Sequence, residues 1–271
     1  MTSLLPDKFT FTQSNLQTYV KCKYQFYLRY IEHFLWPAPA TGDMLTFERD
    51  RLAGSRFHQL VQQLLLDVPA EALVRSAEND PDSRVRAWFE LFMDSIYKQL
   101  TGNLFPEYTL TANLDGFLLS AKYDLLQQNG VDYTIFDWKT SRKKPSKAWL
   151  QAQLQSKVFP LVLANQKEFY SGTPEPAIRM VYWEVTEPEK PIVLECGSEK
   201  LKDYRAELSS LIFQIKTNEV KDFEKTEDVQ RCRYCVYRTY CNRPSMSVGV
   251  DEFLSSEYLS IEEDADILNG D

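Results

Sequence analysis

Residues 117–140 read FLLSAKYDLLQQNGVDYTIFDWKT, and the way this stretch folds back on itself decides the architecture. Two apolar runs flank Asn129-Gly130, a pair that favours the left-handed backbone of a two-residue hairpin turn. With that turn, residue 128 faces 131, Asp137 lies opposite Lys122, and Lys139 lies opposite Ser120. Paired residues share a face of the ladder, and so do alternate residues along each strand. Asp124, Asp137 and Lys139 are therefore expected on one face, together with Val131, Tyr133 and Ile135, which marks that face as partly buried. Carboxylates on a buried face are costly without a partner. Two at this spacing make an oxygen-rich site suited to a hard divalent cation such as Mg²⁺ or Mn²⁺, and the neighbouring lysine puts positive charge where an oxyanion could form. The plain alternative is a solvated hairpin face with a surface ion pair.

Upstream, Glu107–Leu114 (EYTLTANL) alternates like a strand and is separated from the hairpin by Asp115-Gly116, so 105–140 reads as a three-stranded meander. Ahead of it, helical spacing marks 13–30, with Ser14 as a candidate N-cap, then 46–66 and 82–100, with a short helix between 67 and 80. Behind it come a helix over 146–164, a strand over 177–185, a short strand near PIVLE and a helix over 199–216. This order implies an α/β chain with a mixed central sheet flanked by helices.

The chain has 271 residues, 44% hydrophobic and 13% aromatic, which excludes a disordered or fibrous protein. It contains no apolar run long enough to span a bilayer and no secretory signal at its start, so a cytoplasmic protein with no membrane association is expected. The net charge of −8 argues on its face against a polyanion partner. All of that excess lies in residues 244–271, which hold eight acidic residues and no Lys or Arg. Two domains are therefore expected: a formally neutral body over 1–243 and an acidic, flexible tail over 244–271, the latter a candidate for docking a protein partner. Basic residues cluster at Arg142, Lys143, Lys144 and Lys147. Arg231, Arg233, Arg238 and Arg243 interleave with Tyr234, Tyr237 and Tyr240, which reads as a surface tracking an unpaired strand or, more plainly, as a solvated loop.

Cys232-x-x-Cys235-x5-Cys241 is a tight trio, with Cys22 about 210 residues upstream and Cys196 left over. Four thiolates hold zinc or an iron–sulfur cluster, and spacing alone does not choose.

Asp124 followed by Ile135-Phe136-Asp137-Trp138-Lys139-Thr140 resembles the PD-(D/E)XK nuclease superfamily, and within it the RecB-like branch. Two further patterns agree: Gly54-x-x-x-His58 on a preceding helix, and Gln155-x-x-x-Phe159 on a following one, where the branch carries Tyr in place of Phe159. The resemblance implies a restriction-endonuclease-like core, with His58, Asp124, Asp137 and the Trp138 carbonyl as metal ligands. It implies Lys139, Asp124, Asp137 and Gln155 as catalytic residues, and Glu107 as an additional acid. The cysteine distribution is similar to that of the iron–sulfur nucleases of this branch, the AddB-type nuclease domains and the CRISPR-associated adaptation nucleases. That similarity implies a [4Fe-4S] cluster on Cys22, Cys232, Cys235 and Cys241 clamping helical chain ends. The implied activity is exonucleolytic hydrolysis of single-stranded DNA by metal-activated water. The alternative is a non-catalytic DNA-binding or repair-complex subunit that retains the fold.

Overall fold

Strand β3 (Phe117–Asn129) is the axis of the sheet in the computed structural model, which describes residues 4–36, 42–141, 144–166 and 176–243. Antiparallel β2 (Asn103–Leu114) pairs with it along one side, from Asn103↔Gln128 to Leu114↔Phe117. Its other side is divided. Antiparallel β4 (Asp132–Lys139) covers Leu125–Asn129, while a short N-terminal strand, β1 (Thr10–Thr12), runs parallel against Leu118–Ser120. The sheet continues from β4 to parallel β5 (Ile178–Glu184) and antiparallel β6 (Ile192–Glu195).

Helices cover both faces, as the order of elements implies. One apolar layer joins the sheet to α1 (Gln13–Lys21), α7 (Gln155–Ala164) and α8 (Ser198–Thr217) through residues such as Leu16, Val158, Phe159, Leu208 and Ile212. The other joins it to α3 (Gly42–Leu65), α4 (Ala70–Glu78) and α5 (Ser83–Asp94) through Phe57, Val61, Leu73, Phe89 and Phe92. Along β4, Tyr133 and Ile135 face the first layer, and Phe136 and Trp138 face the second. This two-residue period is the one expected of a strand buried on both sides.

The structure corrects several expectations. The two turn residues are Gly130 and Val131, because Asn129 pairs with Asp132. Gly130 takes φ +63° at the first central position, where a II′ turn needs glycine. The shift moves the register by two positions, which keeps the faces but aligns Asp137 with Asp124 rather than Lys122. Val131 is 55% exposed and lies on the turn, not on a buried face. The helix expected over 146–164 is two helices, α6 (Lys147–Ala152) and α7, broken at Gln153-Leu154. The 82–100 helix is α5 followed by a 3₁₀ turn at Ile96–Gln99. The 13–30 helix is α1, the four-residue α2 (Lys23–Phe26) and a π-helical turn at Tyr27–Ile31. Strand β1 has no counterpart in the sequence reading. Arg142, Lys143 and the 244–271 tail lie outside the described residues.

Candidate active site

The site forms where β4 and β1 part on β3. The β3–β4 ladder ends at Leu125↔Phe136, one position short of Asp124 and Asp137. In place of the next ladder bond, the Trp138 N–H donates to Asp124 Oδ2 at 2.7 Å. A second irregularity sits at the same level. Along β3, Leu119, Ala121 and Tyr123 face the first apolar layer, but Leu125 faces the second. Along β2, Tyr108 and Leu110 face the first layer, whereas the period flips so that Phe105 also faces it and Leu104 faces the second. Both strands thus break phase together, at Glu107 and Asp124. Glu107 carries the break with φ +51°, a left-handed conformation unusual for a side chain of its kind and typical of strained functional positions. The break leaves the Asp124 carboxylate in the fork itself, reachable from both layers.

From the α3 side comes His58, whose Nδ1 lies 3.4 Å from Asp124 Oδ1. Helix α3 turns its Ala53, Phe57, Leu60 and Val61 face into the core, and His58 follows Phe57 at the edge of that face, one turn after the buried Gly54. Among the described residues, His58, Glu107 and Asp124 form the group whose ligand atoms lie within 4.8 Å of one another. An imidazole and two carboxylates suit a divalent cation of the Mg²⁺ or Mn²⁺ kind. Glu107 also meets Lys122 Nζ at 2.9 Å. Burial, reinforced by Asp124, raises the Glu107 pKa. Burial also acts to raise that of Asp124, but His58, the Trp138 N–H and Lys139 outweigh it and hold Asp124 low.

From the α7 side comes a closed triangle. Lys139 Nζ sits 2.7 Å from Asp137 Oδ2 and donates to Gln155 Oε1 at 3.2 Å, and Gln155 Nε2 donates to Asp137 Oδ1 at 2.5 Å. Asp137, expected beside Asp124 as a metal ligand, holds Lys139 and Gln155, and Glu107 stands with His58 and Asp124 in the three-ligand group. Burial pushes Asp137 up to about 6 against the pull of Lys139. Burial acts to lower Lys139, but Asp137 outweighs it and keeps the ammonium charged. Lys139 Nζ also lies 5.8 Å from the centre of the Tyr182 ring, and the Tyr182 hydroxyl is 2.6 Å from Ser156 Oγ. Phe159 is buried against Tyr123, whose hydroxyl bonds the Phe159 carbonyl, so that position serves the core.

Sequence reasoning missed Tyr182 and Glu184, which pair with Asp137 and Lys139 across β4–β5. A lone glutamate ending the apolar run Ile178–Glu184 was the available signal. Glu184 is fully buried and accepts from Ser141 Oγ at 3.0 Å. Burial carries its pKa to about 8, with Lys139 pulling the other way. A carboxyl raised from its ordinary value favours the fold below about pH 4.5, and that contribution is lost as pH climbs through about 8. Glu184→Gln should therefore match the wild-type melting temperature near pH 4.5 and exceed it increasingly up to pH 8, by up to about 1.4 kcal/mol per pH unit. Thermal melts across that range check it.

Cys22, Cys232, Cys235 and Cys241 line one small cavity of about 20 Å³ with Arg231, Arg243 and Lys225 around it. The Gln25 N–H donates to Cys22 Sγ at 3.4 Å. Burial raises the Cys232, Cys235 and Cys241 thiols, Cys235 to about 12. Cys196 is buried elsewhere, its thiol against the Leu194 carbonyl. About half of the Arg–Tyr interleaving around the trio is turned inward rather than towards a strand: Arg233, Arg238, Tyr234 and Tyr237 are buried, with the Tyr237 hydroxyl on the Phe34 carbonyl. Those residues pack the cysteine segment onto the N-terminus, and Tyr240 remains exposed.

Among solved structures, the chain is similar to a candidate exonuclease from Eubacterium rectale, at 11% identity over 92% of this chain and 94% of that one, with a TM-score of 0.50. It is also similar to SSO0001, at 13% identity over 88% of each chain, with a TM-score of 0.39. At 11% identity the likeness to the Eubacterium rectale protein is one of fold. A search of curated proteins finds no match. A family model of PD-(D/E)XK nucleases matches residues 10–242, which takes in β1, the fork, the Lys139–Gln155 triangle and all five cysteines. With its motif residues gathered at the one place where the sheet divides, the chain belongs to the PD-(D/E)XK nuclease superfamily.

Proposed function

We propose that the chain is a metal-dependent deoxyribonuclease of the RecB-like branch, acting as an exonuclease on single-stranded ends. The observation that carries this reading is the union of two groups through one hydrogen bond. The His58–Glu107–Asp124 group and the Asp137–Lys139–Gln155 triangle are joined where Asp124 accepts the Trp138 N–H. A retired site has no physical need to keep three carboxylates, a lysine and a histidine at one break in the sheet.

A divalent cation held by His58, Glu107 and Asp124, with Asp137 and the Trp138 carbonyl as the further ligands that the resemblance implies, would activate water and neutralise phosphoryl charge. The protein's own residues do the rest. Asp137 and Gln155 pin the Lys139 ammonium, which stays charged and supplies electrostatic stabilisation to the phosphoryl oxygens. Lys122 holds Glu107 in its left-handed position.

A [4Fe-4S] cluster on Cys22, Cys232, Cys235 and Cys241 is part of this reading: the four thiols line one shared cavity, and the spacing is similar to that of the iron–sulfur nucleases of the branch. The cluster's part is structural, tying the N-terminal helices to the last described segment.

The test is to purify the protein without oxygen, record its absorbance, and incubate it with labelled single-stranded DNA, with Mn²⁺ or with a chelator, alongside Asp124→Asn. Metal-dependent degradation by wild type alone supports the reading, whereas equal degradation by both proteins, or by neither, overturns it. A colourless protein overturns the cluster.

The body over 1–243 is proposed as the nuclease unit and 244–271 as an acidic tail that competes with DNA for basic surface. Deleting 245–271 should leave the melting temperature unchanged and tighten DNA binding at low salt by a fewfold. Fluorescence anisotropy at two salt concentrations checks this, and unchanged affinity removes the competition.

A further inference from the structure

A pocket of about 320 Å³ opens between the C-terminal half of α1, the Gln153-Leu154 break ahead of α7, and α8. It belongs neither to the metal group nor to the catalytic triangle, and it adjoins the cysteine cavity, because Arg231 lines both. Three cations, Lys21, Lys157 and Arg231, face one carboxylate, Glu207. Two of them are held in place by the fold itself. Lys157 Nζ, 14% exposed, bonds Glu207 Oε1 at 2.5 Å, and the Arg231 guanidinium donates to the Val20 and Lys21 carbonyls and to Asp228. Glu207 is the more exposed partner at 52%, so an incoming anion could displace it from Lys157 without unpacking the lysine. The size lies at the lower end of the ~300–1,000 Å³ range of ligand sites, enough for one nucleotide unit.

We propose that this pocket is a phosphate-binding subsite for the single strand, on the α1–α7–α8 side of the sheet beside the cysteine segment. The proposal rests on the DNA-nuclease reading and adds to it where a neighbouring phosphate is gripped. Glu207 acts there as a gate charge that a strand phosphate replaces on Lys157.

The test uses the full chain and a fluorescent single-stranded oligonucleotide, with affinity read by anisotropy over a salt series in the absence of divalent cation. Lys21→Gln/Lys157→Gln should bind on the order of tenfold more weakly at low salt, with the slope of log affinity against log salt reduced by about 1.4 for two lost phosphate contacts. Glu207→Gln should shift affinity the opposite way, which a merely structural ion pair would not do. Hydrolysis of a small diester, bis(p-nitrophenyl) phosphate, should be unchanged in the Lys21/Lys157 variant. Competition by inorganic phosphate or a free mononucleotide separates a strand site from a nucleotide site: release of the oligonucleotide only at millimolar competitor supports the strand, and micromolar release overturns it. An unchanged salt slope in the double variant, or absence of oligonucleotide binding by wild type, overturns the subsite. The nuclease reading fails separately, if wild type with Mn²⁺ degrades no DNA.

Discussion

Lys139→Ala should lower kcat on single-stranded DNA in Mn²⁺ by about a hundred- to a thousandfold while leaving KM within a fewfold. Loss of one preorganised charge aimed at developing negative charge costs about 2.7–4 kcal/mol, and it is felt in the transition state rather than in the ground state. The arrangement here makes the loss nearly pure. Lys139 lies at the end of β4 with its ammonium on Asp137 and Gln155, 13% exposed, so it has little surface on which to grip substrate in general. The variant also leaves Asp137 buried without its cation. Since that carboxyl already titrates near 6, it takes up a proton sooner than it unfolds the chain. The stability that Asp137 contributes is then present at low pH and declines further with rising pH than in wild type, where the decline runs from about 4 to about 6. Lys139→Met, which keeps the apolar stem, should behave alike in kcat and melt higher. A variant with wild-type kcat would remove Lys139 from the chemistry.

Cys22→Ala should be the most destabilising single cysteine change, because the proposed cluster would take only Cys22 from the N-terminal segment. A cross-link closing a loop of about 210 residues is worth about 5 kcal/mol on the loop-entropy model, or a melting temperature lower by roughly 10–20 °C for a chain of this size. The protein retains other ties between its ends: the Tyr24 N–H on the Glu224 carbonyl, the Trp36 indole on Thr239, and Tyr237 on Phe34. The variant should therefore fold at low temperature, without colour, and melt early. Cys196→Ala removes a buried thiol outside the cavity and should keep both the absorbance and most of the melting temperature. Equal melting of the Cys22 and Cys196 variants would remove the clamp.

The hairpin, the mixed sheet and the motif residues were readable because alternation, a glycine at the turn and apolar runs are local properties, although the turn itself falls one residue later than Asn129-Gly130. The arrangement inside the site was not. Alternation put Asp124 and Asp137 on one face, but the two strands break phase at Glu107 and Asp124, and a period counted along one strand does not register a defect shared by two. Pro106, a residue that interior strand positions reject, was the visible warning. The parallel pairing of Thr10–Thr12 with Leu118–Ser120 is a contact across more than a hundred residues, set by the core rather than by any local propensity. The Arg–Tyr run misled for a related reason: its composition suits a nucleic-acid surface, whereas its neighbours bury about half of it.

The phase break has a second consequence, for solubility. Among the described residues β2 pairs with β3 alone, so its twelve residues form an open edge, the kind of backbone template that recruits other chains. Pro106 withholds an N–H from that edge and the left-handed Glu107 turns the next peptide out of line. The irregularity that brings a carboxylate to His58 and Asp124 thus also interrupts the edge at its middle, so that a regularised β2 would form a longer sticky strand as well as take that carboxylate away from the group.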